Sequence, residues 1–200
     1  MRSSAPLRLH EPEILISVSN KAEQSAVVQD VETGSRRVLA TFAGEEKEYL
    51  VKGLWVQGGA NVVLSLVDPI YYRNAEARPE ARDLYWIRGD GTNLKPLLED
   101  AKVAYYLDDP MHDRLLLDTY SLGSDLSPMY WLDLQSGTLT RVLDDEAEST
   151  HQRLLGLTPD GRYIVTSDGQ YRTWLFDVGT GRFTQLSMTV LGPIVWRPSQ

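Results

Sequence analysis

The chain has 200 residues, 42% hydrophobic and 24% charged, with 28 acidic against 20 basic side chains and no cysteine. This is enough apolar side chain for a folded core, and it excludes disulfides, thiolate nucleophiles and cysteine-built metal sites. A net charge of −8 repels phosphate backbones and anionic lipid, so neither nucleic acid nor a membrane surface is an expected partner.

Residues 1–12 read as an N-terminal extension, with Pro6 and Pro12 and no apolar segment of the kind a secretory leader needs. Cytoplasmic residence is favoured on this sequence, and the periplasm is open if a leader has been removed. No apolar run approaches the ~18 residues of a membrane-spanning helix. Residues 13–200 are expected to form one domain. Ile14–Ser19 is a β-branched strand. A second strand runs through Val27 and Val28 into the turn Asp30-Val31-Glu32-Thr33-Gly34, and a third ends at Val38-Leu39. Strands at Leu50–Val56 and Val62–Val67 flank Gly58-Gly59-Ala60-Asn61. Within the connection Asp68–Asp83, the helix-forming residues of Asn74–Arg82 are interrupted by Pro79, which predicts a loop or a single turn. Leu84–Gly91 leads to Leu97-Leu98, and Val103–Leu107 leads through Asp109-Pro110-Met111-His112 to Leu115–Tyr120. After Ser121–Pro128, Met129–Gly137 runs on to Val142-Leu143. Leu154–Thr158, Pro159-Asp160-Gly161 and Tyr163–Ser167 form the next hairpin, Thr173–Gly181 runs on to Leu186, and Ile194–Arg197 is a last strand.

These elements repeat. Turn glycines recur at 34, 91, 137 and 181, and a period of about 40–50 residues is that of a propeller blade. A hairpin turn needs a residue at positive φ, where glycine meets no steric cost. Asp30, Asp133 and Asp177 each stand four residues before their glycine, where a short carboxylate can bond turn amides. The predicted fold is all-β: a β-propeller of four-stranded antiparallel blades, about four of them, covering 13–42 with 193–198, 48–99, 102–144 and 152–187. The first blade lacks its innermost strand and the chain ends on an extra one. The C-terminal strand is therefore expected to close the ring by joining the N-terminal blade. A larger ring, or a homo-oligomer through unpaired blade edges, is the alternative. The tryptophans at 55, 86, 131, 174 and 196 read as inter-blade core at equivalent strand positions.

Leu157-Thr158-Pro159-Asp160-Gly161-Arg162-Tyr163 and Val195-Trp196-Arg197-Pro198-Ser199 resemble one half of the TolB-like (WD40-like) propeller repeat, and Leu84–Leu98 and Met129–Leu143 resemble the other. Blade two departs from it, with Gln57-Gly58-Gly59 at the Pro-Asp-Gly place, as does blade three with Asp109-Pro110-Met111-His112. The resemblance implies the fold. It is shared with the N-terminal propeller of prolyl-oligopeptidase-like serine peptidases, so a substrate-gating propeller of such a peptidase is the alternative function.

With the four strands of a blade lettered a to d outward, the a–b and c–d turns are short and share one face. The long b–c and d–a connections share the other. Loops elaborated on a rigid scaffold are where binding resides. The first b–c loop holds Tyr71, Tyr72, Arg73, Arg78 and Arg82, the residue types that anchor protein interfaces. These five are the candidate partner-binding residues, and the expected partner is a protein or peptide. Asp144, Asp145, Glu146 and Glu148 form an acidic loop without the spacing of a calcium site. There is no Gly-x-Ser-x-Gly elbow, no phosphate-binding glycine loop and no His-Glu-x-x-His. His10, His112 and His151 stand apart, and Arg88-Gly89-Asp90 falls in a tight hairpin. The sequence therefore predicts a non-catalytic scaffold without metal or cofactor.

Overall fold

A computed structural model describes residues 13–19, 23–43, 50–67, 81–99, 103–109, 111–119, 128–143, 153–168, 170–186 and 194. Among them are fifteen strands and no α-helix. Blade 1 is the three-stranded sheet β1 (Glu13–Ser19), β2 (Glu23–Asp30) and β3 (Arg36–Ala43). Blade 2 is β4 (Leu50–Val56), β5 (Asn61–Val67), β6 (Ala81–Arg88) and β7 (Lys95–Leu98). Blade 3 is β8 (Val103–Asp109), β9 (Arg114–Thr119), β10 (Met129–Asp133) and β11 (Leu139–Arg141). Blade 4 is β12 (Arg153–Leu157), β13 (Tyr163–Ser167), β14 (Thr173–Asp177) and β15 (Arg182–Gln185). Every pairing is antiparallel. One pair, Ala81 opposite Val103, ties blade 2 to blade 3, so their eight strands form a continuous sheet.

Strand b of each inner blade carries consecutive apolar residues, Val62–Leu64 and Leu115–Leu117, because both of its faces are covered. Side chains alternate across a strand, so neighbours along β9 enter different cores. Leu115 and Leu117 pack into the core between blades 2 and 3 with Val63, Leu84 and Leu132. Leu116 packs into the core between blades 3 and 4 with Met129, Ile164 and Phe176. Along β5, Val62 and Leu64 join Ala26, Val28 and Ile87 between blades 1 and 2, while Val63 faces the other way. Full burial of each such side chain is worth about 1.5–3 kcal/mol.

Polar links cross the same seams. Arg37 of strand d in blade 1 donates to the Gly89 carbonyl in the blade 2 turn at 2.7 Å. Lys95 of strand d in blade 2 donates to the Leu134 carbonyl in the blade 3 turn at 3.3 Å. The Ser65 and Tyr106 hydroxyls meet at 3.1 Å, and the Leu154 N–H donates to the Asp118 carboxylate at 3.2 Å.

The turn carboxylates act as the sequence predicts. Asp30 accepts from the Thr33 N–H at 2.6 Å, Asp133 from the Ser136 N–H at 2.7 Å, and Asp177 from the Gly179 N–H at 2.9 Å. The glycines at 34, 91, 137 and 181 all have positive φ. Other expectations are corrected. The blade 2 a–b turn is a 3-10 turn, Gln57–Gly59, in which Gln57 itself takes φ +54°. Trp86 and Trp131 face the next blade along, but Trp174 does not share their place. Trp131 is paired with Thr140, three residues past its turn glycine, whereas it is Leu175 that pairs with the corresponding Thr184. A one-residue offset reverses a strand side chain, so Trp174 points to the other side of its blade. Trp196 lies outside the described residues.

The C-terminal strand expected to close the ring falls on residues that lie, but for one, outside the described ones. Of Ile194–Arg197 only Ile194 is described, and it lies against Gly156 of β12 in blade 4. On the side of blade 1 turned away from blade 2, Ile14 is 47% and Val38 59% exposed.

Candidate functional site

Tyr71, Tyr72, Arg73 and Arg78 lie outside the described residues, as do Asp144, Asp145, Glu146 and Glu148. Arg82 does not belong to the loop in which the sequence placed it. The backbone pairing of β6 begins at Ala81, opposite Val67 and Val103, so Arg82 is a strand residue. The strand ends agree with the expected division of faces. Connections on the a–b and c–d side run four to six residues, and the longest ones, 68–80, 142–152 and 120–128, all leave from the opposite side.

The hairpin face contains a site that the sequence did not reveal. A groove of about 550 Å³ lies between blades 1 and 2, lined by Glu13, Arg37, Trp55, Ala60, Arg88 and Asp90, with Gly59 and Gly89. Its parts come from four strands and two turns. At one wall, Arg37 forks onto the Glu13 carboxylate at 2.6 and 3.1 Å. The bond to Glu13, which outweighs partial burial, pushes the guanidinium further above its ordinary range. The floor is glycine for want of room: the Gly89 N–H donates to the Ala60 carbonyl at 2.9 Å, and a Cβ on Gly89 would stand 3.0 Å from that oxygen and 3.2 Å from the Trp55 ring. Asp90 accepts from the Thr92 hydroxyl at 2.6 Å and its N–H at 2.9 Å through one carboxylate oxygen, and these bonds lower its pKa. The Arg88 guanidinium has no hydrogen bond or ion pair among the described residues. The Arg-Gly-Asp run of this hairpin thus sits in the groove, with an uncommitted cation beside a half-buried indole. Such a surface can hold a carboxylate or a peptide carbonyl against an aromatic wall.

A second polar cluster lies on the same face at the seam of blades 3 and 4. Asp109 is buried and accepts from Arg114 Nε at 2.7 Å, His112 Nδ1 at 3.0 Å and the Met111 N–H at 3.2 Å. Arg114 also lies 3.7 Å over the Trp131 ring. His112 is therefore paired rather than isolated, a contact from i to i+3 that only the turn geometry creates. The backbone of Gly161 in blade 4 covers the Asp109 carboxylate, which makes the cluster a packing latch between blades. Beside it, burial, aided by repulsion from Asp109, pushes the Asp108 carboxyl up to about 6, and a bond from the Gln57 N–H opposes the shift. On the loop face, Asp168 accepts from Arg172 Nε at 2.6 Å and Trp174 Nε1 at 3.0 Å. Burial works to raise its pKa, but these donors and the N–H groups of Arg172 and Gln170 bring it down to about 2.

Among the described residues no group of three His, Asp or Glu is placed to hold a metal ion, and no helix is long and apolar enough to cross a membrane. No family model matches the sequence, and no curated protein matches it. Solved structures do match. An oligogalacturonate lyase in complex with manganese aligns at a TM-score of 0.61 and 15% identity, over 82% of this chain and 42% of that one. TolB from Acinetobacter baumannii aligns at 0.54 and 19%, over 87% and 40%. A chain of a mitotic checkpoint complex aligns at 0.53 and 12%, over 86% and 46%. The chain spans less than half the length of each of these. What is shared at such identities is the architecture: the fold is that of a TolB-like β-propeller.

Proposed function

We propose that this chain is a non-catalytic β-propeller scaffold that binds a protein or peptide through the face carrying its b–c and d–a connections. The observation that carries the reading is the one-sidedness of the fold. Seven hairpins of four to six residues fill one face, and the three longest connections leave from the other. A rigid set of blades that elaborates one face only is a platform for contacts made there. Tyr71, Tyr72, Arg73 and Arg78, in the longest connection, and Arg82, in the strand it enters, are the anchors in this reading. That a chain of the same fold belongs to a mitotic checkpoint complex is in keeping with a role in assembly.

A second reading places the ligand in the hairpin-face groove, and the uncommitted Arg88 beside Trp55 favours it. One experiment separates the two. Peptides are selected from a random library on the immobilised chain, and their affinity is measured for two variants. Combined replacement of Tyr71, Tyr72 and Arg73 by alanine should weaken binding at least about 10-fold with no change in melting temperature. Loss with Arg88→Glu instead would move the site to the groove. Selection of no peptide above background would refute both.

A further inference from the structure

The blades repeat one hairpin, so each serves as a reference for the others. Where strand c ends beside the start of strand b, blade 3 sets Asp133 opposite Arg114, blade 4 sets Asp177 opposite Tyr163, and blade 2 sets Arg88 opposite Asn61. The backbone agrees: the carbonyls of Asp30, Asp133, Asp177 and Arg88 each accept from the N–H of their turn glycine. In three blades the side chain at this place is a carboxylate that bonds the turn amides. Blade 2 puts a cation there. Its turn reaches glycine in three residues rather than four, and the capping has passed to Asp90, which holds Thr92. Arg88 is thereby released from the turn.

A second departure meets the first. Strand a places Trp55 opposite Val62, where blade 3 has Asp108 opposite Leu115 and blade 4 has Leu157 opposite Ile164. The indole and the guanidinium, each unlike its counterparts in the other blades, line one groove with Glu13, Arg37 and Asp90. Residues that follow the repeat hold the fold, and a local rule broken at two places that meet in space marks a site.

The chemistry of the groove selects its occupant. Of its two guanidiniums, Arg37 is held by Glu13 and the Gly89 carbonyl, and Arg88 is available. Glu13 and Asp90 line the same groove and the chain carries a net charge of −8, so a ligand with several negative charges is repelled and a single carboxylate is accepted. Asp90 bonds Thr92 through Oδ1, which leaves Oδ2 to accept an N–H from outside. At the floor the Gly89 N–H is already given to the Ala60 carbonyl. A cation, an acceptor two residues away and an apolar ring together match the last residue of a peptide, whose carboxylate, N–H and side chain all leave one α-carbon. The side chain of an internal Asp or Glu carries its carboxylate further from the backbone N–H, and a small acid without an N–H sets its charge against Asp90 with nothing to donate.

We propose that the groove between blades 1 and 2 holds the C-terminal carboxylate of a peptide, paired with Arg88, with the last N–H on Asp90 and an apolar last side chain against Trp55. This assignment rests on the reading that places a ligand in the groove and is independent of contacts made on the loop face.

Random peptides of about ten residues, tethered by the N-terminus so that each ends in a free carboxylate, are selected on the full chain. The tightest is then made as the free acid, as the C-terminal amide, and with an ester in place of its last amide, and affinities are read by fluorescence anisotropy. Amidation should weaken binding about 10-fold and the ester about 5-fold, and the selected sequences should end in apolar residues. Arg88→Gln should weaken the free acid as much as amidation does and abolish the difference between acid and amide, with no change in melting temperature, since Arg88 is exposed and bonds nothing among the described residues. If acid and amide bind alike, or the ester as tightly as the parent, while Arg88→Gln weakens all three, the groove is occupied by something other than a chain end and this inference alone falls. Binding indifferent to Arg88→Gln, or no peptide selected above background, overturns it together with the groove reading.

Discussion

Replacing Gly161 by alanine measures what the latch between blades 3 and 4 contributes. Gly161 closes the Pro-Asp-Gly turn of blade 4 at φ +68°, a conformation that costs an L side chain about 1–2 kcal/mol. It also faces a carboxylate that cannot retreat. A Cβ there would stand 2.8 Å from both oxygens of Asp109 and 3.1 Å from its carboxyl carbon. Those oxygens are held by Arg114, His112 and the Met111 amide. Rotating the carboxylate away strands a buried charge and frees Arg114 from its place over Trp131. Loss of a bond between a buried group and a charged partner costs about 1.5–3 kcal/mol. The expected total for Gly161→Ala is about 3–4 kcal/mol, or roughly 10 °C in melting temperature for a chain of this size. Gly34→Ala is the internal control. Its φ is +69° and nothing lies within 4 Å of the added methyl, so it should cost only the backbone term, about 1–2 kcal/mol. Both are read by urea denaturation with matched slopes. If Gly161→Ala costs no more than Gly34→Ala, the carboxylate yields freely and the latch contributes nothing.

Asp108 and Asp168 should impose opposite pH dependences. The Asp108 carboxyl is raised from 3.8 to about 6, so its contribution to stability is fully present below pH 3.8 and is lost as pH rises through 6. Asp108→Asn should therefore stabilise the protein at pH 7.5 by about 1 kcal/mol, after allowance for screening of a half-exposed group, with the gain vanishing near pH 4 in denaturant titrations. Asp168 is lowered to about 2, so its contribution is present above pH 3.8 and is lost as pH falls through 2. Asp168→Asn should destabilise at pH 7 by on the order of 1 kcal/mol, shift the near-ultraviolet signal of Trp174, and approach the parent protein in acid. Neutral variants with flat, parallel profiles would show that neither carboxylate senses the fold.

The blade pattern was legible because it is written locally. A turn aspartate and its glycine lie four residues apart, and an apolar run such as Leu115-Leu116-Leu117 is explained by one strand covered on both faces. Where the reading failed, the deciding contact joined distant segments. The groove combines Glu13 with Arg37, Trp55 and Arg88, and nothing in the sequence around any of them announces the others. Asp109 meets Gly161 across 52 positions, and what looked like a lone His112 is held by the turn that forms this meeting. Trp174 matched the other tryptophans in composition but not in register, and a strand punishes an error of one residue by reversing the side chain. Arg82 was assigned to a loop because Pro79 and the charges around it mask the point at which pairing resumes, which is set by the partners Val67 and Val103.

The pairing of Ala81 with Val103 has a consequence for how the molecule comes apart. Repeat proteins open from where neighbouring units hold each other least. Blades 2 and 3 are joined by one backbone pair as well as a core, whereas the sheets of blades 1 and 4 are separate from theirs. Under mild denaturant or tension the outer blades should peel first and independently, and the central eight strands should yield last as one unit, so amides of β5 and β9 will exchange most slowly and those of β1 and β15 fastest.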